Sequence, residues 1–223
     1  MIDSDTLASR GFVVAPRLID PAECRALATL WPEKPRFRSH VVMQRHGFGQ
    51  GEYQYFAYPL PERIEALRQA LYPELAAVAN RWNEQLGVAK RYPPTLQGWL
   101  RQCHAGGQKR PTPLLLHYRP GDYNCLHRDL YGELVFPLQA TVLLSDPDKD
   151  FSGGEFMLVE QRPRAQSRGT SVTLKQGHAL IFTTRDRPIK SARGWSASQV
   201  RHGVSPIQWG IRHTLGLVFH DAR

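Results

Sequence analysis

The sequence predicts an α+β fold: a double-stranded β-helix, or jelly roll, with a layer of helices on its N-terminal side. Up to about residue 112, apolar residues recur at helical spacing between Pro and Gly punctuation. Beyond it, short runs rich in β-branched and aromatic residues alternate with turn clusters, the pattern of a sandwich or barrel. A chain of 223 residues with 41% hydrophobic and 22% charged residues can bury such a core without disulfides or a structural metal. We therefore expect one domain over 1–223, with a mainly helical layer at 1–112 and the barrel at 113–223.

The helical elements come first. Asp20, Pro21 and Glu23 form a capping box with proline at the first helical position, opening a helix over Cys24 to Trp31. Pro61 opens a second, carried by Ile64, Leu67 and Leu71; Pro73 is expected to interrupt it, and Gly87 to end its continuation through Trp82. Thr95 to His104 reads as another helix, closed by Gly106 and Gly107. Val41 to Tyr58, rich in glycine and aromatics, reads as a β-hairpin or flap. The expected strands are Leu114–Tyr118, Leu138–Leu144, Glu155–Val159, Ser171–Leu174, Ala179–Phe182, Gln199–Val204 and His213–His220. Turns at Pro120–Asp122, Asp146–Asp148, Ser152–Gly154 and Lys175–Gly177 separate several of them.

Several classes are excluded. The longest apolar runs are a few residues, too short to span a bilayer, and the acidic start of the chain has no apolar segment of a signal peptide. Cys24, Cys103 and Cys125 follow no scaffold spacing, so reduced thiols and a cytoplasmic location are expected, with a monomer as the default. The formal charge is +9. Nine of the basic residues lie between Arg162 and Arg201 against the single acid Asp186, so that stretch holds 9 − 1 = +8. Such a field suits a polyanion such as nucleic acid; a solvated basic face is the plainer alternative.

The segment from Tyr118 to Asp129 carries the chemistry. On an extended strand, side chains two apart point the same way, so His127 and Asp129 could place an imidazole and a carboxylate on one metal ion. A histidine from another strand, such as His202, would complete a two-histidine, one-carboxylate triad with open positions, which suits non-haem Fe(II). Ten residues on, Arg212 could hold a dicarboxylate, with Thr214 on the same face and Tyr118 opposite. A zinc site from Cys103, His104, Cys125 and His127 can also be drawn, although structural-zinc spacing is absent. Cys125 is expected to be a packing thiol that could line the pocket.

Together, Tyr118, Gly121, His127-x-Asp129, the Gly153–Phe156 turn and strand, Gly177–Phe182, His202 and Arg212-x-Thr214 stand in the order found in the Fe(II)/2-oxoglutarate-dependent oxygenases, which the region from Pro113 to Arg223 resembles. The resemblance implies iron ligands His127, Asp129 and His202. It implies 2-oxoglutarate held by Arg212 with Tyr118 and Thr214, and O2 as co-substrate.

For the oxidised substrate, two resemblances compete. The Tyr118–Asp129 segment and His202-Gly203-Val204 look like AlkB-like DNA dealkylases. Phe37–Val42, Tyr55–Pro61, Arg110–Leu114 and Glu160–Arg164 look like a bacterial branch grouped as oxidative demethylases of damaged nucleic acid. On that reading the 41–58 hairpin is a nucleotide-recognition flap: Tyr53, Tyr55 or Phe56 stacks on a flipped base, and Arg45, Arg128 and Tyr131 are further substrate contacts. The 162–201 stretch then follows the phosphates of DNA. The alternative is a protein or small-molecule hydroxylase: the ten-residue spacing from His202 to Arg212 is similar to that of prolyl hydroxylases, which usually carry lysine at Arg212. The sequence departs from the AlkB-like pattern at Leu116, Tyr131 and Val218, where Asn, an acid and a second arginine are usual. A catalytically inactive binding module on the same scaffold is the non-enzymatic alternative.

Overall fold

The computed structural model describes residues 2–129, 132–147, 149–191 and 194–223. In chain order the elements are α1 (Ser4–Arg10), β1 (Phe12–Ala15), α2 (Pro21–Ala28), β2 (Phe37–Val42), β3 (Gly49–Gln50), β4 (Glu52–Phe56), α3 (Glu62–Gln85) and α4 (Leu96–Ala105). There follow β5 (Leu114–Tyr118), β6 (Tyr123–His127), β7 (Leu138–Leu143), β8 (Phe151–Gly153), β9 (Phe156–Gln161), β10 (Arg168–Val172) and β11 (Ala179–Thr183). The last are β12 (Asp186–Ser191), β13 (Gly194–Val204), β14 (Ile207–Gly210) and β15 (Arg212–Val218).

Two antiparallel sheets face each other as a jelly roll. The larger has the order β1-β11-β7-β15-β5-β4-β2; the smaller runs β10-β9-β13-β6-β3, with β12 also paired to β13. Strand alternation divides the apolar residues between two cores. Leu115, Val142, Ile181 and Leu217 face outward onto the helices, where Ile64, Leu71, Leu75 and Trp82 of α3 cover them. Tyr118, Leu143, Leu180 and Phe182 face inward and meet Phe156, Leu158 and Val200 of the smaller sheet.

The capping box forms as the sequence predicts, with Asp20 accepting from Glu23 N at 2.8 Å and Glu23 from Asp20 N at 3.1 Å. Thr95 caps α4. Pro73 does not interrupt its helix: α3 runs unbroken for 24 residues. Pro73 is exposed, so its missing N–H faces water, and burial of Leu71, Tyr72, Leu75 and Ala76 holds the helix on the sheet. The 41–58 segment is not a free flap. The hairpin starts at Phe37, β4 pairs with β5 inside the larger sheet, and β3 at its tip pairs with β6 of the smaller one. The helical layer thus also supplies strands. The expected strand at 213–220 begins at Arg212, that at 171–174 runs instead from Arg168 to Val172, and β1, β6, β8, β12 and β14 join the expected set.

Among the described residues, no helix is long and apolar enough to cross a membrane. The three thiols are free; Cys24 and Cys103 are buried, whereas Cys125 is exposed rather than packed.

Two stability predictions follow from these contacts. Pro73→Ala restores a helix donor and removes a ring clash, and should raise unfolding free energy by about 1–2 kcal/mol in urea titrations. His220 is buried, its Nδ1 accepts from Phe136 N at 3.2 Å, and burial pulls its pKa down from 6.5 to about 4. The unfolded imidazole takes up its proton first, so stability present above pH 6.5 is lost progressively as pH falls toward 4. His220→Asn keeps an acceptor that does not titrate, and its urea midpoint should fall less between pH 7.5 and 5 than that of the wild type.

Candidate functional site

The site begins with strand register. His202 on β13 is the direct cross-strand partner of His127 at the end of β6, which puts both imidazoles on one face with ring centroids 4.2 Å apart. The register then slips at Gly203, because Val204 pairs with Asn124. A Cβ at Gly203 would sit 2.6 Å from Asn124 O, so only glycine permits this approach. Asp129 lies two residues past the end of β6, not on the strand as the sequence argument assumed. The chain turns there and brings its carboxylate 3.4 Å from His127 Nε2 and 3.2 Å from His202 Nε2. Ligand atoms of the three residues lie within 4.8 Å of one another.

The surroundings fix each group. His127 Nδ1 lies 2.7 Å from Cys125 O, the geometry of an N–H donor, which leaves Nε2 as the free lone pair. His202 is wedged between Phe156, stacked at 5.7 Å, and Phe182, edge-on at 4.8 Å. Gln139 on β7 donates to Asp129 Oδ2 at 2.8 Å. Burial holds the His202 imidazole below its usual pKa, favouring the neutral form. Burial opposes the Asp129 charge, but the two imidazoles hold its carboxyl well below the ordinary range. Burial opposes the His127 charge, but its hydrogen bond and attraction to Asp129 raise its pKa, so a metal ion bound here displaces a proton from that imidazole. Two imidazoles and one carboxylate fit a divalent first-row metal with open positions.

Arg212 faces the same cavity. Its register partner on β5 is Tyr118, and its guanidinium lies 5.6 Å from the Tyr118 ring and 5.8 Å from Phe151. Arg212 is 2% exposed, and among the described residues its Nε and Nη1 have no hydrogen-bond partner, nor does the buried Tyr118 hydroxyl. Burial pulls the Arg212 pKa down to about 10 and pushes Tyr118 up to about 12, so both stay protonated at neutral pH. A buried guanidinium without a full set of acceptors is costly, and a carboxylate is the partner its fork fits. The Gly153–Gly154 turn makes the room: a Cβ on Gly154 would sit 2.9 Å from Arg212 Cδ. The cavity holds about 380 Å³ and is lined by Tyr118, His127, Asp129, His202, Arg212 and Thr214, all gathered as the sequence predicts.

The expected substrate contacts fare unevenly. Tyr53 and Arg128 line the cavity. Tyr55 and Phe56 do not: Tyr55 is 7% exposed under Arg38, and Phe56 is fully buried against Phe37, because β4 is an interior strand. Arg45 is exposed on the 3₁₀ turn Met43–His46, next to the lining residues Gly47 and Phe48 but outside the lining itself. Tyr131 lies outside the described residues. Sequence reasoning missed Gln139, Phe48 and Leu126. The signal for Gln139 was its alternation with Thr141 in an otherwise apolar strand: both point into the cavity. The zinc alternative is not formed, because Cys103 is in the helical core and His104 binds Asp221 at 2.8 Å.

The basic stretch is partly neutralised by a residue just outside it. Glu160 is ion-paired with Arg187 at 2.7 Å, Arg168 at 3.6 Å and Arg162 at 3.7 Å. Arg187 is 4% exposed and also donates to Ser9 O, so it is a core residue. Arg185 pairs with Asp186. Arg193 lies outside the described residues.

A jelly roll opening onto a two-histidine, one-carboxylate cluster and a buried arginine is the architecture of an Fe(II)/2-oxoglutarate oxygenase, and this enzyme class, with Fe(II), 2-oxoglutarate and O2, is the one the chain represents. Residues 51–222 match the Oxygenase-NA family, described as an oxygenase catalysing oxidative methylation of damaged DNA, and the chain belongs to that family. An uncharacterized protein of Mycobacterium tuberculosis is 59% identical over 167 residues, covering 75% of this chain and 72% of its own. Among solved structures, a Pseudomonas putida prolyl-4-hydroxylase aligns with a TM-score of 0.59 at 17% identity, covering 99% of this chain and 97% of that one. A 2OG-Fe(II) oxygenase family oxidoreductase from Burkholderia pseudomallei aligns at 0.55 and 14% identity, covering 98% and 90%. At these identities they establish the shared fold.

Gln139→Leu removes the donor that holds Asp129 and should weaken Co(II) or Mn(II) affinity about 10–100-fold in a direct titration.

Proposed function

We propose that this oxygenase oxidatively dealkylates damaged nucleic acid, with Fe(II) held by His127, Asp129 and His202 and 2-oxoglutarate held by Arg212, Tyr118 and Thr214. The observation that carries the assignment is the meeting, in one cavity, of three converging ligand atoms with a buried guanidinium whose Nε and Nη1 have no acceptor among the described residues. The loaded centre supplies the oxidant for a substrate C–H bond, and hydroxylation of an N-methyl carbon ends in formaldehyde and the free amine.

The chain's own residues do the rest. Cys125 O fixes the tautomer and orientation of His127, Gln139 holds one oxygen of Asp129, and the two phenylalanines keep His202 from rotating. Arg212 would orient a dicarboxylate by its distal end, with the Tyr118 and Thr214 hydroxyls beside it. Leu114, Leu116 and Val218 give the cavity apolar walls that exclude water. Phe48 and Leu126, both nearly half exposed, stand with Tyr53 and Arg128 around the opening. An aromatic and cationic rim of this kind suits an extruded base and its phosphate. The family description and the net charge of +9 support the same substrate class.

Asp129→Ala should abolish substrate-coupled succinate release, and Arg212→Ala should raise the KM for 2-oxoglutarate roughly 100-fold, the scale of a truncated buried charge pair. The substrate is tested by formaldehyde and succinate release on methylated oligonucleotides beside proline-containing peptides. Release on the peptides alone would replace this reading with a protein hydroxylase.

A further inference from the structure

A second concavity, of about 440 Å³, lies where α1, the end of α3 and the β12–β13 hairpin meet. Its wall carries Arg81, Arg162, Arg187 and Lys190 against one carboxylate, Asp5. Trp195 also lines it and is 45% exposed. Lys190 is the cross-strand partner of Trp195, so the ammonium and the indole stand on one face of the hairpin. A half-exposed indole beside cations is a stacking platform with counter-charges for phosphate.

The cations are unequally committed. Arg187 is buried on Glu160 and serves the fold. Arg162 meets that same carboxylate at 3.7 Å with half of its side chain exposed. Arg81 meets Asp5 at 3.3 Å, where the Asp5 side chain is 94% exposed. A pair so open to water is weak, and a phosphate oxygen can replace Asp5 at little cost. Lys190 is in no ion pair with the described residues. β13 carries Trp195 near its start and His202 near its end, on opposite faces of the strand, so the groove lies outside the smaller sheet and the catalytic cavity inside it. Seven residues of strand separate them, about 23 Å.

We infer that this groove binds single-stranded nucleic acid, with Trp195 stacked on a base and Arg81, Arg162 and Lys190 on phosphates, as a second contact beyond the catalytic cavity. The inference rests on the nucleic-acid reading above and adds an anchoring site to it. A trinucleotide is too short to follow that length of strand and round the sheet edge to the cavity, whereas a 16-mer is long enough.

The test uses the full chain loaded with iron, labelled (dT)16 at low salt, and two methylated substrates, a trinucleotide and a 16-mer. Trp195→Ala should lower (dT)16 affinity roughly tenfold, within the range of a single base–aromatic stack, and Trp195→Phe should recover most of it. Arg162→Ala with Lys190→Ala should flatten the slope of log affinity against log salt by about 1.4, or ~0.7 per lost phosphate contact. Turnover of the trinucleotide should be unchanged in Trp195→Ala while the KM for the 16-mer rises. Equal (dT)16 affinity in wild type and Trp195→Ala overturns the groove and leaves the nucleic-acid reading standing. Absence of oligonucleotide binding and turnover in the wild type overturns both. Poly-aspartate of matched charge displacing (dT)16 and losing affinity equally in Trp195→Ala would make this an acidic-polypeptide surface instead.

Discussion

The pairing of His202 with His127 across β13 and β6 is the constraint on which the site depends. Register in a sheet is all or none: a slip of one residue would turn one imidazole to the far face and separate the pair. The structure secures it from several sides. β13 is held between β9 and β6, and Phe156 and Phe182 leave His202 one seat. The shift at Gly203 comes only after the two histidines have met, so the irregularity releases the chain toward Ser205 without disturbing them. Arg212 follows the same logic on the other sheet, since its pairing with Tyr118 aims it inward and places His213 outward against His117.

The candidate cluster was legible because its residues are rare types at informative spacings. Strand alternation suggested His127 with Asp129, the resemblance to the Fe(II)/2-oxoglutarate oxygenases implied His202, Arg212 and Thr214 beside them, and the structure gathers all five in one cavity. The reasoning was incomplete where it relied on one strand. Asp129 reaches the cluster from a turn, and nothing local in the sequence marks β6 as ending at His127. Aromatic residues were misjudged for a related reason. Tyr53, Tyr55 and Phe56 lie close together, but only Tyr53 meets the cavity: Phe56 turns to the helical core, and Tyr55, on the same face as Tyr53, is covered by Arg38. Pro73 shows that tertiary burial can override a local breaker when the lost donor faces water.

Charge was the feature most altered by three dimensions. A count along the chain finds one acid among nine bases, yet Glu160, two residues before the first of them, takes three arginines. One of these, Arg187, is part of the packing under Gly11 and cannot be offered to a ligand. The surviving surface charge is therefore more local than the sequence total suggests, and it draws on Arg81 of α3, far away in the chain.

The first strand has a consequence for how the molecule comes into being. β1 pairs with β11 from Phe12↔Phe182 to Ala15↔Ala179, so the edge of the larger sheet closes only when segments more than 160 residues apart meet. Contacts of such separation are slow to form, and until then β11 presents a bare row of backbone donors and acceptors. Trimming the chain to its family-matched region, residues 51–222, would make that exposure permanent and would strip β2 from β4 at the opposite margin. The leading 50 residues thus supply both margins of the larger sheet, with the four-residue β1 as one edge and β2 as the other.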